Sequence, residues 1–130
     1  MRVLQPEGWP RPRGYSNGIL AEGRLVFVAG QIGWDETGEF PAQDFAAQFR
    51  QALTNTLAVL KEASAGPEQI VRMTWFITSR DEYMASLSEL GAAWRELMGR
   101  NYPTMSVIIV AGLVEPEAKI EIETTAVVPH

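Results

Sequence analysis

Two periodicities divide the chain into elements. Leu25-Val26-Phe27-Val28-Ala29 is an unbroken β-rich run entered from Gly23-Arg24 and stopped by Gly30, the pattern of a strand. Trp34 to Glu39 reads as a turn, punctuated by Asp35, Thr37 and Gly38. From near Asp44 the spacing changes. Phe45, Phe49, Leu53, Leu57 and Leu60 recur at intervals of four and three, which predicts a long amphipathic helix that Gly66-Pro67 is expected to end. Residues 70–78 read as a second strand. Ser79-Arg80-Asp81-Glu82 has the spacing of a capping box and opens a second helix. Met84, Leu87, Leu90, Gly91, Trp94, Leu97 and Met98 are its expected buried stripe, with Gly99 at the C-terminal cap. Pro103 precedes a strand over 104–111, and a last strand over 119–128 alternates along Ile120, Ile122, Thr124, Ala126 and Val128.

This order predicts an α+β fold: one mixed β-sheet with two helices packed on one face, because two helices of this length cannot cover both. A sheet wet on its other face should alternate apolar with polar residues. These strands mostly do not. Val26 and Val28 oppose Leu25 and Phe27; Val71, Met73, Trp75 and Ile77 oppose Ile70 and Phe76; Val107 and Ile109 oppose Ile108 and Val110. The expected cover for the second face is another copy of the chain, the alternative being a sheet rolled around its own side chains.

A length of 130 residues fits one domain over 1–130. The 46% hydrophobic and 21% charged fractions are those of a globular protein, and no run reaches a membrane span. The segment Met1 to Gly14 lacks the apolar centre of a secretory signal, so a cytoplasmic location with no membrane partner is expected. A net charge of -5 with scattered basic residues argues against nucleic acid as a partner. Without cysteine there is no thiolate metal site or cysteine nucleophile. The single histidine, His130, is the last residue, a poor place for a general base or a metal ligand.

Glu121 and Glu123 then stand out. Two apart on a strand, they share the face opposite Ile120 and Ile122, either as a solvated face or as cleft carboxylates able to act as acid or base. Gly30-Gln31 offers backbone N–H groups after a strand, or only relieves a turn. Tyr15 either stacks on a ligand or clamps its loop. Neither a P-loop nor a dinucleotide fingerprint is present, and no cofactor or metal is expected. The tryptophans and Met84, Met98 and Met105 read as packing.

Four stretches, in order along nearly the whole chain, resemble the Rid (reactive intermediate deaminase, or YjgF) family. Gly14-Tyr15-Ser16-Asn17-Gly18 is similar to its opening segment, and Val28-Ala29-Gly30-Gln31-Ile32 to its glycine turn. Residues 48–60, with Gln48 and Asn55, resemble its first helix; Lys119-Ile120-Glu121-Ile122-Glu123 matches its terminal strand. The resemblance implies a chorismate mutase-like fold and a homotrimer with three small-molecule clefts between subunits. It also implies hydrolysis of reactive enamines or imines to 2-keto acids and ammonia, with Glu121 orienting the attacking water. Tyr15, Gly30, Gln31, Ser88, Met105 and Ser106 fall at ligand-holding positions.

Three positions depart from the deaminase pattern. Met105 replaces the arginine that grips the substrate carboxylate, removing a planar, permanently charged fork worth about 1.5–3 kcal/mol. Ala29 replaces a serine, and Ser88 an asparagine. The expectation is therefore a more acidic, more apolar cleft suited to a neutral or cationic ligand; the alternative is that Arg11 or Arg13 swings in as a substitute anchor. Two functions follow: a Rid-type hydrolase of altered specificity, or a non-catalytic metabolite-binding or chaperone-like trimer. Endoribonuclease activity, attached to part of the family, gains nothing from the charge or the histidine count.

Overall fold

The computed structural model describes residues 1–130. Its elements are β1 (Arg2–Leu4), β2 (Gly18–Leu20), β3 (Arg24–Gln31), α1 (Phe45–Lys61), β4 (Ile70–Ile77), α2 (Arg80–Ala85), α3 (Leu87–Met98), β5 (Thr104–Ile109) and β6 (Ile120–Val128), with a 3₁₀ turn at Pro67–Gln69. The main sheet runs β3-β6-β4-β5. Only β4 and β5 are parallel. β1 and β2 pair apart from it as a two-stranded ribbon, which no pattern announced because each is three residues long and little buried.

Asp44 caps α1 by accepting the Ala47 N–H, as its position before the apolar stripe predicts. Phe49, Leu53 and Leu60 are fully buried against Met73, Ile120 and Ile122 of the sheet. Burying each side chain of this size contributes about 1.5–3 kcal/mol. With α3 laid beside α1, the α+β arrangement of helices on one face of a mixed sheet is as expected.

Three local expectations are corrected. α1 ends at Lys61, not at Gly66-Pro67; Ser64 takes the left-handed conformation (φ 56°), and Ala65 donates back to the Leu60 carbonyl. Gly66-Pro67 instead opens the 3₁₀ turn, where Gly66 N–H donates to the Gln69 side chain. The second helix is two. Ser79 caps α2 through the Glu82 N–H, but Ser86 donates its hydroxyl back to the Glu82 carbonyl and leaves helical geometry (ψ 4°). The break resets the phase, so Met84 and Leu87 are exposed while Leu90, Ala93, Trp94 and Met98 form the buried stripe. Third, an irregularity in the β4–β6 register between Ile70 and Arg72 turns Ile70 to the helix side, where it joins Met73 rather than opposing it.

The other sheet face is uncovered in a single chain. Phe27 is 72% and Leu25 61% exposed, and Ile108 is exposed as well. Between them run Glu121, Glu123, Thr74 and Ser106, paired across β6, β4 and β5.

Candidate functional site: two half-sites at opposite sheet edges

Gln48 and Asn55 lie seven apart, two turns along one side of α1, and each ties down a loop that no secondary structure holds. Gln48 is fully buried. Its amide donates to the Ala42 and Glu117 carbonyls (3.2 and 3.0 Å), and its oxygen accepts the Lys119 N–H (2.8 Å), which fixes the entry to β6. Asn55 donates to the carbonyls of Ile32 and Trp34 (3.1 and 2.7 Å), which fixes the exit from β3. One helix therefore sets the two strands that carry Gly30, Gln31 and Glu121.

Those three residues form the first half-site. The β3–β6 register slips between Val28 and Gln31, putting two residues of β3 against one of β6. Glu121 lies against the backbone there: a Cβ built on Gly30 would come within 2.6 Å of its carboxylate. Gly30 is thus required by close approach, not by a tight turn. Gln31 donates to the Ala29 carbonyl (3.0 Å). Glu121 is half-buried and Glu123 exposed, both on the face away from the helices.

The second half-site is at the other edge. Ser16 bridges to Thr104, and its N–H donates to the Pro103 carbonyl (3.0 Å), which lays Tyr15 against β5. Tyr15 and Met105 then separate two clefts. The polar one, about 390 Å³, is lined by Tyr15, Ser16, Asn17, Arg72, Thr104 and Ser106, with Met73 and Met105 at its base. The larger, about 500 Å³, lies between α3 and β5 and is mostly apolar, walled by Trp75, Tyr83, Trp94 and Tyr102.

Within one chain the expected site residues are therefore divided. Met105 pairs with buried Met73 and packs toward the helices, so it is not beside Glu121, which points from the opposite face. Two strand spacings, about 10 Å, also separate β5 from β6. Ser88, exposed on the first turn of α3, lines neither cleft. The electrostatic expectation changes too: no carboxylate lines either cleft, whereas Arg13 and Arg95 reach the larger one and Arg72 the polar one. Of the two N-terminal arginines, Arg13 lines the larger cleft and Arg11 lines neither.

Sequence reasoning missed Arg72 and the aromatic wall. Arg72 was legible only through register, since its pairing with Thr104 puts it beside Ser106 on the same face. Trp75 and Trp94 do pack in the core, yet both indole N–H groups are buried without an acceptor, a state that costs about 1–3 kcal/mol for each group. Gly91 is the remaining oddity. It sits mid-helix, where glycine costs about 1 kcal/mol relative to alanine, although an added Cβ would meet only the Arg95 guanidinium at 3.4 Å. Burial holds the Tyr83 phenol above its usual range, so at neutral pH it keeps its proton. No cluster of three or more acidic or histidine side chains is placed to hold a metal. No helix is long and apolar enough to cross a membrane.

A helix-backed mixed sheet, bulged where a glutamate meets a glycine and open at both edges, defines a small α+β protein with candidate half-sites at its sheet edges. Comparison with known proteins gives the family. Residues 10–128 match the family described as endoribonuclease L-PSP. A RutC family protein of Synechocystis sp. is 32% identical over 131 residues, covering 99% of this chain and 98% of its own. TdcF of Escherichia coli K12, by name a candidate reactive intermediate deaminase, is 37% identical over 106 residues, 81% of this chain and 80% of its own. Among solved structures, the Rid-family protein YyfB of Yersinia pestis superposes with a TM-score of 0.84 at 34% identity, covering 98% of each chain. E. coli TdcF with bound serine gives 0.69 at 31%, covering 98% and 99%. The chain belongs to the Rid (YjgF) family, the endoribonuclease L-PSP family of the matching description.

Proposed function

We propose that the protein hydrolyses a reactive imine or enamine to a carbonyl compound and ammonia, in clefts formed where the β3–β6 edge of one copy meets the β5 edge of the next. The single observation that carries this reading is the contact of Glu121 with Gly30: a carboxylate held against exposed backbone at a strand bulge, on a face that one chain leaves bare. The uncovered Phe27 and Leu25 supply the apolar area for assembly, and a homotrimer closes the two half-sites onto each other. Glu121 orients a water whose oxygen adds to the imine carbon. The C–N bond then breaks, and nitrogen leaves as ammonia with the protons that the water gave up. An enamine enters the same path after protonation at carbon. No cofactor is required.

The bound serine of TdcF supports a small, polar, amino-acid-sized reacting group. Met105 takes the place of the usual carboxylate anchor, and the unpaired arginines around it suit a changed specificity. The family's ribonuclease description draws no support here: the chain carries -5 net charge, and its one histidine, His130, is exposed and lines neither cleft. The whole 1–130 chain acts as one Rid-like unit in the cytoplasm on this reading.

A second reading, a non-catalytic metabolite-binding trimer, is favoured specifically by Met105. An ammonia-release assay separates the two, using freshly generated 2-iminopropionate, 2-aminoacrylate and a carboxylate-free imine, with Met105→Arg and Glu121→Gln run beside the parent. The hydrolase reading expects release by the parent on at least one imine and a loss of about a hundredfold in Glu121→Gln. No acceleration over buffer on any of them would leave the binding reading. Release by Met105→Arg alone would mark a deaminase scaffold whose native ligand lies elsewhere.

A further inference from the structure

We propose that the cleft between α3 and β5 is a pocket for a planar aromatic acid, of the aryl- or indolyl-carboxylate class. This goes beyond the functional reading by naming a second ligand site, and it draws on that reading only for the importance of the ground beside Tyr15 and Met105.

Shape comes first. About 500 Å³ is the size of a small-molecule site, and the walls are rings: Tyr15, Trp75, Tyr83, Trp94 and Tyr102. Trp94 and Tyr102 lie nearly parallel (12°, centroids 6.3 Å apart), and Trp75 is tilted against Trp94 at 5.9 Å. Flat faces in this arrangement favour another flat, apolar body over a branched aliphatic one.

Gly91 is the second observation. Its φ is not in the left-handed range, and no backbone or core atom crowds it. The fold does not need glycine there. What the missing side chain leaves is room in the cleft, which Gly91 lines.

Charge is the third. Arg13 and Arg95 border the cleft, and neither is paired with a carboxylate; the ion pairs of the chain are Arg50–Glu96 and Lys119–Glu82. Two unpaired guanidinium groups beside a ring-lined pocket select an anion on an aromatic frame. No carboxylate lines the cleft, and the Tyr83 phenol, which keeps its proton, adds no negative charge to it. A cationic amine meets like charge here, and a short aliphatic acid leaves the ring walls unfilled.

The test is calorimetric titration of the full-length protein in its native assembly with four probes: indole-3-acetate, indole, tryptamine and butyrate. Indole-3-acetate is expected to bind at submillimolar Kd, with indole, tryptamine and butyrate each about tenfold weaker or more. In NMR spectra the Trp75 and Trp94 indole N–H resonances shift on binding, and those of Trp9 and Trp34, which are outside the cleft, do not. Gly91→Leu fills the pocket and abolishes binding. If that variant does not fold, Arg95→Gln and Arg13→Gln carry the test, each weakening the acid about tenfold while leaving indole unchanged. Equal binding of tryptamine, binding that survives Gly91→Leu, or unshifted Trp75 and Trp94 resonances would overturn the proposal, as would a cleft that takes none of the probes because a neighbouring copy fills it. Ammonia release without aryl-acid binding sinks this inference and spares the hydrolase reading; aryl-acid binding without ammonia release does the reverse.

Discussion

The two faces of the sheet are made from the same strands and do different work. Against the helices, Met73, Ile77, Ile120 and Ile122 are sealed by Phe49, Leu53 and Leu60, and only towards β5 does this side open, into the cleft beside α3. On the other face Leu25, Phe27 and Ile108 stand in solvent around Glu121, Glu123 and Arg72. The first face is completed by the chain's own sequence. The second joins exposed apolar area to charged residues, and nothing within the chain covers it. On the proposed function, the closed core and the reacting carboxylate are separated by about the thickness of one strand, with alternate residues of β6 assigned to each.

The sharpest way to break this comparison is to wound each face in turn. Phe49→Ala or Leu53→Ala is expected to lower the unfolding free energy by about 3–5 kcal/mol, read by urea denaturation, because a closed core relaxes little around a cavity. Phe27→Glu, on the other face, should leave the circular dichroism spectrum intact and reduce the sedimenting species to a smaller one. Unchanged sedimentation would remove the outer face as an assembly surface.

Gln48 links the faces, since its three hydrogen bonds on the helix side place the strand that presents Glu121 on the other. Gln48→Ala is expected to cost about 2–4 kcal/mol by denaturation, with three backbone groups losing their partner. Turnover should fall more than stability predicts. Gly30→Ala sharpens the comparison further: its methyl group displaces the Glu121 carboxylate, so ammonia release should drop about tenfold or more while Tm moves only a few degrees. A large loss of Tm with retained turnover would mean that Gly30 serves folding alone.

The smallest effect is expected at Asp35, in the turn that carries the chain from β3 to α1. Its carboxylate accepts the Thr37 hydroxyl and the N–H groups of Thr37 and Glu39, and the Thr37 hydroxyl contact contributes most to holding its pKa below 3.8. A lowered folded-state pKa means stabilisation that is present above the unfolded value and lost as pH falls through the folded one. An NMR titration should place the Asp35 midpoint below 3.8, and Thr37→Ala should raise it; a midpoint that ignores Thr37 would show the turn to be held otherwise.

Much of the fold was legible because burial writes itself into spacing. The stripe of α1, the Asp44 and Ser79 caps and the alternation along β6 all name their elements without reference to anything distant. The expectations that failed did so where a local signal had a nonlocal competitor. Ser86 breaks a stripe that continues in the letters, because its hydroxyl prefers the Glu82 carbonyl. Ser64 takes the left-handed place that Gly66 advertised. The three-residue strands β1 and β2 are too short to carry a period.

The site was legible in its parts and not in its arrangement. Glu121, Gly30, Tyr15 and Met105 could each be singled out by type and position. That Glu121 meets Gly30, that Met105 turns to the helices, and that Arg72 joins Ser106 follow from strand order and register, which link residues 32 to 91 positions apart. Side-chain type and local period are properties of neighbours in the chain, so the sequence by itself determined the long elements of the main sheet and its helical cover, and the bare second face. Which strand lies beside which, where a register slips, and which rings enclose a cleft depend on the packing of the whole chain, and only the tertiary structure decided them.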